Sequence, residues 1–272
     1  MIITSLVDDY CPRRGLGGEH GLSLLVEAGG RTVLLDAGQD DLLIRNARAL
    51  EMDLRGLDAV VLSHGHYDHG GGLAALFEEL AGEAPPLYAG PGHTDRRLSR
   101  SEERVVDIGL ALPFLPPTAF PPLQVDALEA LGGGLFILPK AEALDGSEPS
   151  TRFRRVVGDL ETVDAFDDEL SLVVVEEEGI SVIAGCAHRG IGNIAREALA
   201  AFPGRPLRAL VGGFHLADRP QAELARIAED LAALAPSFIH CGHCTGPRGY
   251  AALAARFGDR AAWLHCGSRI HL

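Results

Sequence analysis

The stretch Ser63-His64-Gly65-His66-Tyr67-Asp68-His69-Gly70-Gly71-Gly72 carries the pattern H-x-H-x-D-H directly after the apolar run 57–62. A composition with 11 histidines in 272 residues yields that pattern by chance on the order of once in a thousand such chains. His64 and His66 alternate along an extended segment, so both rings can address one ion. Asp68 and His69, just beyond, turn toward a second. Neutral imidazole and carboxylate suit zinc, iron or manganese. The three glycines let the chain turn tightly and start a helix over 73–80. A solvated histidine-rich turn is the competing reading.

Working outward, residues 2–7, 22–27 and 32–36 read as strands, the last two joined across Ala28-Gly29-Gly30. Leu42, Leu43, Asn46, Ala49 and Leu50 share one helical face, and 57–62 is a buried strand. Between Pro85 and Glu169 periodicity fades. Pro113, Pro116, Pro117, Pro121 and Pro122 exclude a long helix or central strand over 112–123. This proline-rich insertion around 85–169 is expected to be either a surface excursion or a segment that shapes or covers the active site. Strands at 170–177 and 180–185 follow, and then strand and helix alternate: helix 194–202, strand 207–211, helix 221–234, strand 237–240, helix 250–257, strand 263–266. Two strand-rich openings, each followed by helices, give an α/β chain with two packed sheets and helices outside, one domain over 1–272.

With Asp36 in Leu34-Leu35-Asp36-Ala37-Gly38, the H-x-H-x-D-H stretch resembles the signature of the metallo-β-lactamase superfamily. The resemblance spans most of the chain. It implies an αββα sandwich of two mixed β-sheets with outer helices, holding one or two divalent metal ions at the sheet edge, zinc first and iron or manganese as alternatives. By the same resemblance Asp36 supports the metal loop. Gly185-Cys186-Ala187-His188-Arg189-Gly190-Ile191-Gly192-Asn193-Ile194, Gly212-Gly213-Phe214-His215-Leu216 and His243-Cys244-Thr245-Gly246 are similar to the 7,8-dihydropterin-6-methyl-4-(β-D-ribofuranosyl)aminobenzene-5′-phosphate synthase-like branch. The resemblance implies a metal-dependent hydrolase for a phosphoester, cyclic phosphodiester or acyl-type small molecule, tilted toward a phosphate- or pterin-containing one. Iron-dependent redox chemistry, or metal sensing without turnover, are the rivals.

His188, beyond the strand 180–184, is assigned to the metal of His64 and His66. His243, after the strand 237–240, is assigned to the second metal with Asp68 and His69. The common superfamily pattern has a bridging carboxylate after a late strand. Cys186 stands at a strand end where that Asp is expected, and reads as a soft ligand or a buried thiol. Asp68 is expected to orient the nucleophile as well as bind metal, and His215 to bind substrate, transfer a proton or add a ligand. Arg96, Arg97 and His93 are expected substrate contacts, since guanidinium clamps phosphate. The cluster Arg152-Arg154-Arg155 offers the same chemistry, with a solvated surface as the alternative for both clusters. His240, His265 and His271 read as core histidines, and His20 as a loop residue.

The chain carries 24 Lys+Arg against 38 Asp+Glu, a net charge of −14, which disfavours a nucleic-acid coat. Two divalent ions would add positive charge at one cleft, so an anionic small-molecule substrate is compatible with that balance. A homo-oligomer is compatible too. No apolar run nears the roughly 20 residues that cross a bilayer. The N-terminus has no basic segment before its first apolar residues, so a cytoplasmic location is expected. Five dispersed cysteines predict reduced thiols, and Cys241-Gly242-His243-Cys244 sits too late in the chain for a thioredoxin-like exchange site.

Overall fold

The computed structural model describes residues 1–80, 85–110, 122–142 and 150–272. Pro113, Pro116, Pro117 and Pro121 lie outside the described residues. With strands numbered along the chain, the first mixed sheet runs β18 (Arg269–His271), β1 (Ile2–Val7), β2 (Ser23–Ala28), β3 (Arg31–Leu35), β4 (Ala59–Leu62), β5 (Leu87–Ala89), β8 (Leu123–Gln124). Pairing is antiparallel from β18 to β3 and parallel from β3 to β8. The β2–β3 hairpin needs positive φ at both turn residues, and Gly29 and Gly30 supply it at 54° and 74°.

The second sheet runs β17 (Ala261–Trp263), β16 (Phe238–Gly242), β15 (Leu207–Gly213), β14 (Gly179–Ala184), β13 (Ser171–Glu176), β10 (Leu135–Leu138), β9 (Glu129–Gly132). Alternation along the strands builds the layers. Val26, Val33, Leu35 and Val61 meet Leu172, Val174, Ile183 and Val211 between the sheets. The intervening Leu25, Leu34, Val60 and Leu62 pack outward with residues of α1 (Leu42–Ala49) and, after the one-turn α2 (Tyr67–Gly70), of α3 (Leu73–Glu79). On the second sheet, Val173, Val182 and Leu210 face α4 (Ile191–Ala201), α5 (Gln221–Ala233) and α6 (Gly246–Phe257). The result is an αββα sandwich. Each fully buried Leu, Ile or Val contributes about 1.5–3 kcal/mol, so the layer between the sheets is a principal source of stability.

The segment 85–169 is not the structure-poor excursion that its weak periodicity predicts. It contains strands β5 to β12, and β5 and β10 are inner strands of the two main sheets. Four of its strands form a separate antiparallel sheet, β12 (Leu160–Val163), β11 (Phe153–Val157), β6 (Arg96–Arg100), β7 (Val105–Asp107). Strands this short cannot display the alternation that reveals longer ones. The three supposed core histidines also fall elsewhere. His271 is exposed and His240 and His265 are half-buried, because Ile239 and Cys241 take the inward positions of β16 and because β17 and β18 are edge strands. Among the described residues no helix is long and apolar enough to cross a membrane.

Candidate metal centre

The ends of β1, β3, β4, β14, β15 and β16 converge on one edge of the sandwich. Sharp turns aim their side chains inward: Asp36, Ala187, His215 and His243 all take positive φ, at 61°, 54°, 47° and 46°. Such non-glycine conformations cost on the order of 1 kcal/mol each and persist where surrounding contacts over-determine them. Here those contacts are Asp8 and Asp9 on His243, Glu169 on the N–H groups that follow Ala187, the Val61 carbonyl that accepts the Asp36 N–H at 2.9 Å and the Cys244 Sγ that accepts the His215 N–H at 3.3 Å.

His64, His66 and His188 bring one ligand atom each to within 4.8 Å of one another. Their Nε2 atoms are buried and meet no hydrogen-bond partner among the described residues. Leaving a buried polar atom unpaired costs about 1–3 kcal/mol, so three converging orphans fit a divalent cation far better than they fit packing. Burial, the largest cause in each case, holds all three imidazoles well below their ordinary pKa, as neutral donors. Asp68, His69 and His243 form a second group within the same 4.8 Å limit. Asp68 Oδ2 lies 3.7 Å from His69 Nε2 and 3.5 Å from His243 Nε2. Burial opposes the charge on Asp68, yet the surrounding imidazoles hold its carboxyl below the usual range.

Carboxylates orient the rings from behind. Asp36 Oδ2 lies 2.7 Å from His69 Nδ1 and accepts the Ser63 hydroxyl at 2.7 Å, while Oδ1 accepts the Ser63 N–H at 2.7 Å. Ser63 Oγ in turn lies 2.9 Å from His64 Nδ1. Burial works against a charge on His69, but Asp36 and Asp68 outweigh it and lift the ring to about 9. Asp9 Oδ1 is 2.6 Å from His243 Nδ1, and Asp8 Oδ2 accepts the His243 N–H at 3.0 Å. Buried Glu169 accepts the backbone N–H groups of His188 and Arg189 at 2.6 and 3.0 Å, and burial pushes its carboxyl up to about 7. Phe166 stacks on His188 at 3.9 Å, and Phe153 packs edge-on against the same ring. Both belong to the insertion.

Gly65, between the two leading histidines, has no room for a side chain: a Cβ there would sit 1.8 Å from the His93 carbonyl oxygen. Its N–H donates to Asp168 Oδ2 at 2.7 Å, and Asp168 Oδ1 pairs ionically with Arg97 at 2.8 Å. Arg97 is therefore not a substrate contact. It is fully buried between Asp164 and Asp168. Arg96 is exposed and paired with Asp107 at 2.7 Å, away from the cleft, because β6 alternates and sends its neighbours to opposite faces. His93 is not on the cleft either; its Nδ1 lies 2.9 Å from the Gly90 carbonyl and its own carbonyl covers Gly65.

Cys186 is buried, with Sγ 3.2 Å from His69 Nε2, and burial pushes the thiol well up. It falls within ligand range of His64 and His69, and separately of His243 and Cys244, so it stands between the two metal-compatible groups. Cys241 packs in the core while Cys244 reaches the cleft, so the C-x-x-C is not a facing thiol pair, and all five cysteines are free. His215 is half-buried on the cleft wall, its ring 4.4 Å from His188, with burial pushing it down to about 4. Neutral above that value, it is a proton acceptor or hydrogen-bond partner rather than a cation. His20, read as a loop residue, belongs here: Nδ1 is 2.8 Å from Asp9 and Nε2 is 3.4 Å from Asp68. Asp8 and Asp9 were equally legible in principle, since acids at the end of an apolar strand repeat the Leu35-Asp36 pattern.

Replacing Asp36 with Asn tests the orienting chain. An amide in place of Oδ2 offers His69 a donor, which favours the tautomer with its proton on Nε2. Metal affinity is expected to fall about 10–100-fold, measured by competition with a chromophoric chelator. An unchanged affinity would remove Asp36 from the site.

A family model described as the metallo-beta-lactamase superfamily matches residues 16–243. The 7,8-dihydropterin-6-methyl-4-(beta-D-ribofuranosyl)-aminobenzene-5'-phosphate synthase of Methanocaldococcus jannaschii is 26% identical over 98% of this chain and 95% of its own. Among solved structures, Tm1679, a metal-dependent hydrolase of the beta-lactamase superfamily, aligns with a TM-score of 0.87 and 31% identity over 100% of this chain and 99% of that one. Zn(2+)-bound PqqB from Methylobacterium extorquens shares the fold, with a TM-score of 0.59 and 17% identity over 100% of both chains.

Proposed function

The chain belongs to the metallo-beta-lactamase superfamily, and from that premise we propose that it is a metal-dependent hydrolase of a small, anionic, phosphate- or pterin-containing molecule. The observation that carries the reading is the convergence of three orphaned imidazole nitrogens beside a second group containing Asp68. His64, His66 and His188 would hold one ion; Asp68, His69 and His243 would hold a second, with Cys186 between them. Zinc is the first choice for this donor set, and iron or manganese the alternatives. A divalent ion there supplies Lewis acidity that lowers the pKa of water from about 15.7 toward about 7.

The protein's own groups do the rest. Asp68 presents a carboxylate oxygen to the cleft and orients the attacking water by accepting its hydrogen bond. His215, neutral and on the same wall, takes or relays a proton. Phe153 and Phe166 exclude bulk water from the first group of histidines, which strengthens every electrostatic contact inside. Phosphoester, cyclic phosphodiester, thioester and lactone cleavage all use this arrangement.

A second reading follows from the synthase name of the 26%-identical relative: transfer to an acceptor other than water. One experiment separates them. Metal-loaded protein is assayed against a panel of phosphoesters, cyclic phosphodiesters, thioesters and lactones in isotope-labelled water. Hydrolysis predicts divalent-metal-dependent turnover with the solvent label in the product; turnover without the label supports transfer, and full metal occupancy without any turnover would sink the enzyme reading.

A further inference from the structure

The separate four-stranded sheet and its loops carry seven arginines, and the structure sorts them. Arg96 pairs with Asp107, Arg97 with Asp164 and Asp168, Arg100 and Arg154 with Glu161, and Arg155 with Asp95 and Asp167. Only Arg104 and Arg152 of this set line the cleft, a cavity of about 1070 Å³ whose wall also includes His66, Asp68, His188 and His243.

Arg152 is held in one plane. Its Nε donates to Ser99 Oγ at 2.8 Å, its Nη1 pairs with Asp218 at 2.7 Å, and its guanidinium lies 5.6 Å from the Phe153 ring centroid. Its Nη2 has no acceptor among the described residues. Arg104 sits at the β6–β7 turn, its backbone pinned by Ser101, whose Oγ accepts the Arg104 N–H at 3.2 Å. The Arg104 guanidinium makes no ion pair among the described residues, although the chain as a whole has an excess of acids. Asp218 occupies one edge of Arg152 and Glu103 lies on the same wall. Recognition here would come from directed N–H donors rather than from bulk positive charge.

We propose that Arg104 and Arg152 form an anion subsite that receives the phosphate of a phosphorylated small-molecule substrate, while the histidine cluster acts on a bond elsewhere in that molecule. This deepens the reading of the cluster as a metal centre and rests on it. The Arg104 guanidinium fork, the Nη2 of Arg152 and the Ser99 hydroxyl, which accepts from Arg152 Nε and keeps its own proton to donate, offer more donors than the two oxygens of a carboxylate can use. The three oxygens of a phosphate match them better.

Calorimetric titration with phenyl phosphate, alongside metal analysis, tests the subsite. The purified protein is expected to bind phenyl phosphate at least about tenfold more tightly than benzoate. The double variant Arg104→Gln, Arg152→Gln is expected to lose about 10–100-fold in phenyl phosphate affinity with metal content unchanged. Arg104→Gln alone, which breaks no ion pair, is expected to lose about tenfold and keeps the test valid if the double variant misfolds. Phenyl phosphate binding that is indifferent to both arginines, in protein that holds its metal, would overturn the subsite and leave the metal centre standing. Arginine-dependent binding in protein that holds no metal would overturn the metal centre and leave the subsite standing.

Discussion

The double variant His64→Ala, His66→Ala is expected to lose the ion assigned to His64, His66 and His188, with turnover at background. Two of the three orphaned Nε2 atoms vanish, and His188 alone offers one nitrogen where a structural or catalytic zinc takes three or four ligands. Loss of a partner behind a ligand costs about 10–100-fold in affinity, and loss of two ligands must exceed that. The fold should survive, because the loop is anchored by backbone groups rather than by the rings. Ser63 N–H is held by Asp36, Gly65 N–H by Asp168, and the Gly65 carbonyl accepts the Leu110 N–H at 3.0 Å. Elemental analysis after dialysis, with circular dichroism as the folding control, reads the result. Wild-type metal content in a folded double variant would sink the assignment.

What could be read along the chain and what could not divide on a physical line. Ligands within one turn of one another, His64 to His69, announce themselves because spacing alone puts their side chains together. His188 and His243 are legible because each follows an apolar strand, and strand ends of a sandwich share an edge. The direction of a side chain at such an end is harder: Cys186 reaches between the two groups because Ala187, next to it, turns at a φ of 54°. Nothing in the local pattern signals that. His20 is hidden for another reason, since it lies on a loop and joins the site only through a partner far along the chain, Asp68. The short strands of the insertion escaped because two to five residues carry too little alternation to register. Arginine clusters misled most. In this fold the same residue type serves as exposed pair, buried strut and cleft donor, and sequence spacing does not distinguish them.

Arg97 makes that distinction measurable. Arg97→Leu is expected to lower the melting temperature sharply, by roughly 6–20 °C, the shift that corresponds to about 3–5 kcal/mol for removing one partner of a buried ion pair in a chain of this size. The loss comes from what remains: Asp164 and Asp168, both fully buried, would face each other without the guanidinium that lies 2.9 and 2.8 Å from them. Burial already raises Asp168 even beside Arg97, and without the cation that carboxyl is driven further up. The sign of the pH dependence follows. A carboxyl whose folded pKa exceeds its unfolded value of about 3.9 tolerates burial when protonated and opposes it once ionised. The deficit of the variant should therefore be largest at neutral and alkaline pH and should narrow as pH falls toward about 4. Metal affinity should fall in parallel, because Asp168 Oδ2 positions the Gly65 N–H between His64 and His66. A substrate clamp at Arg97 would give the opposite pattern: an unchanged melting curve, unchanged metal content and a raised KM.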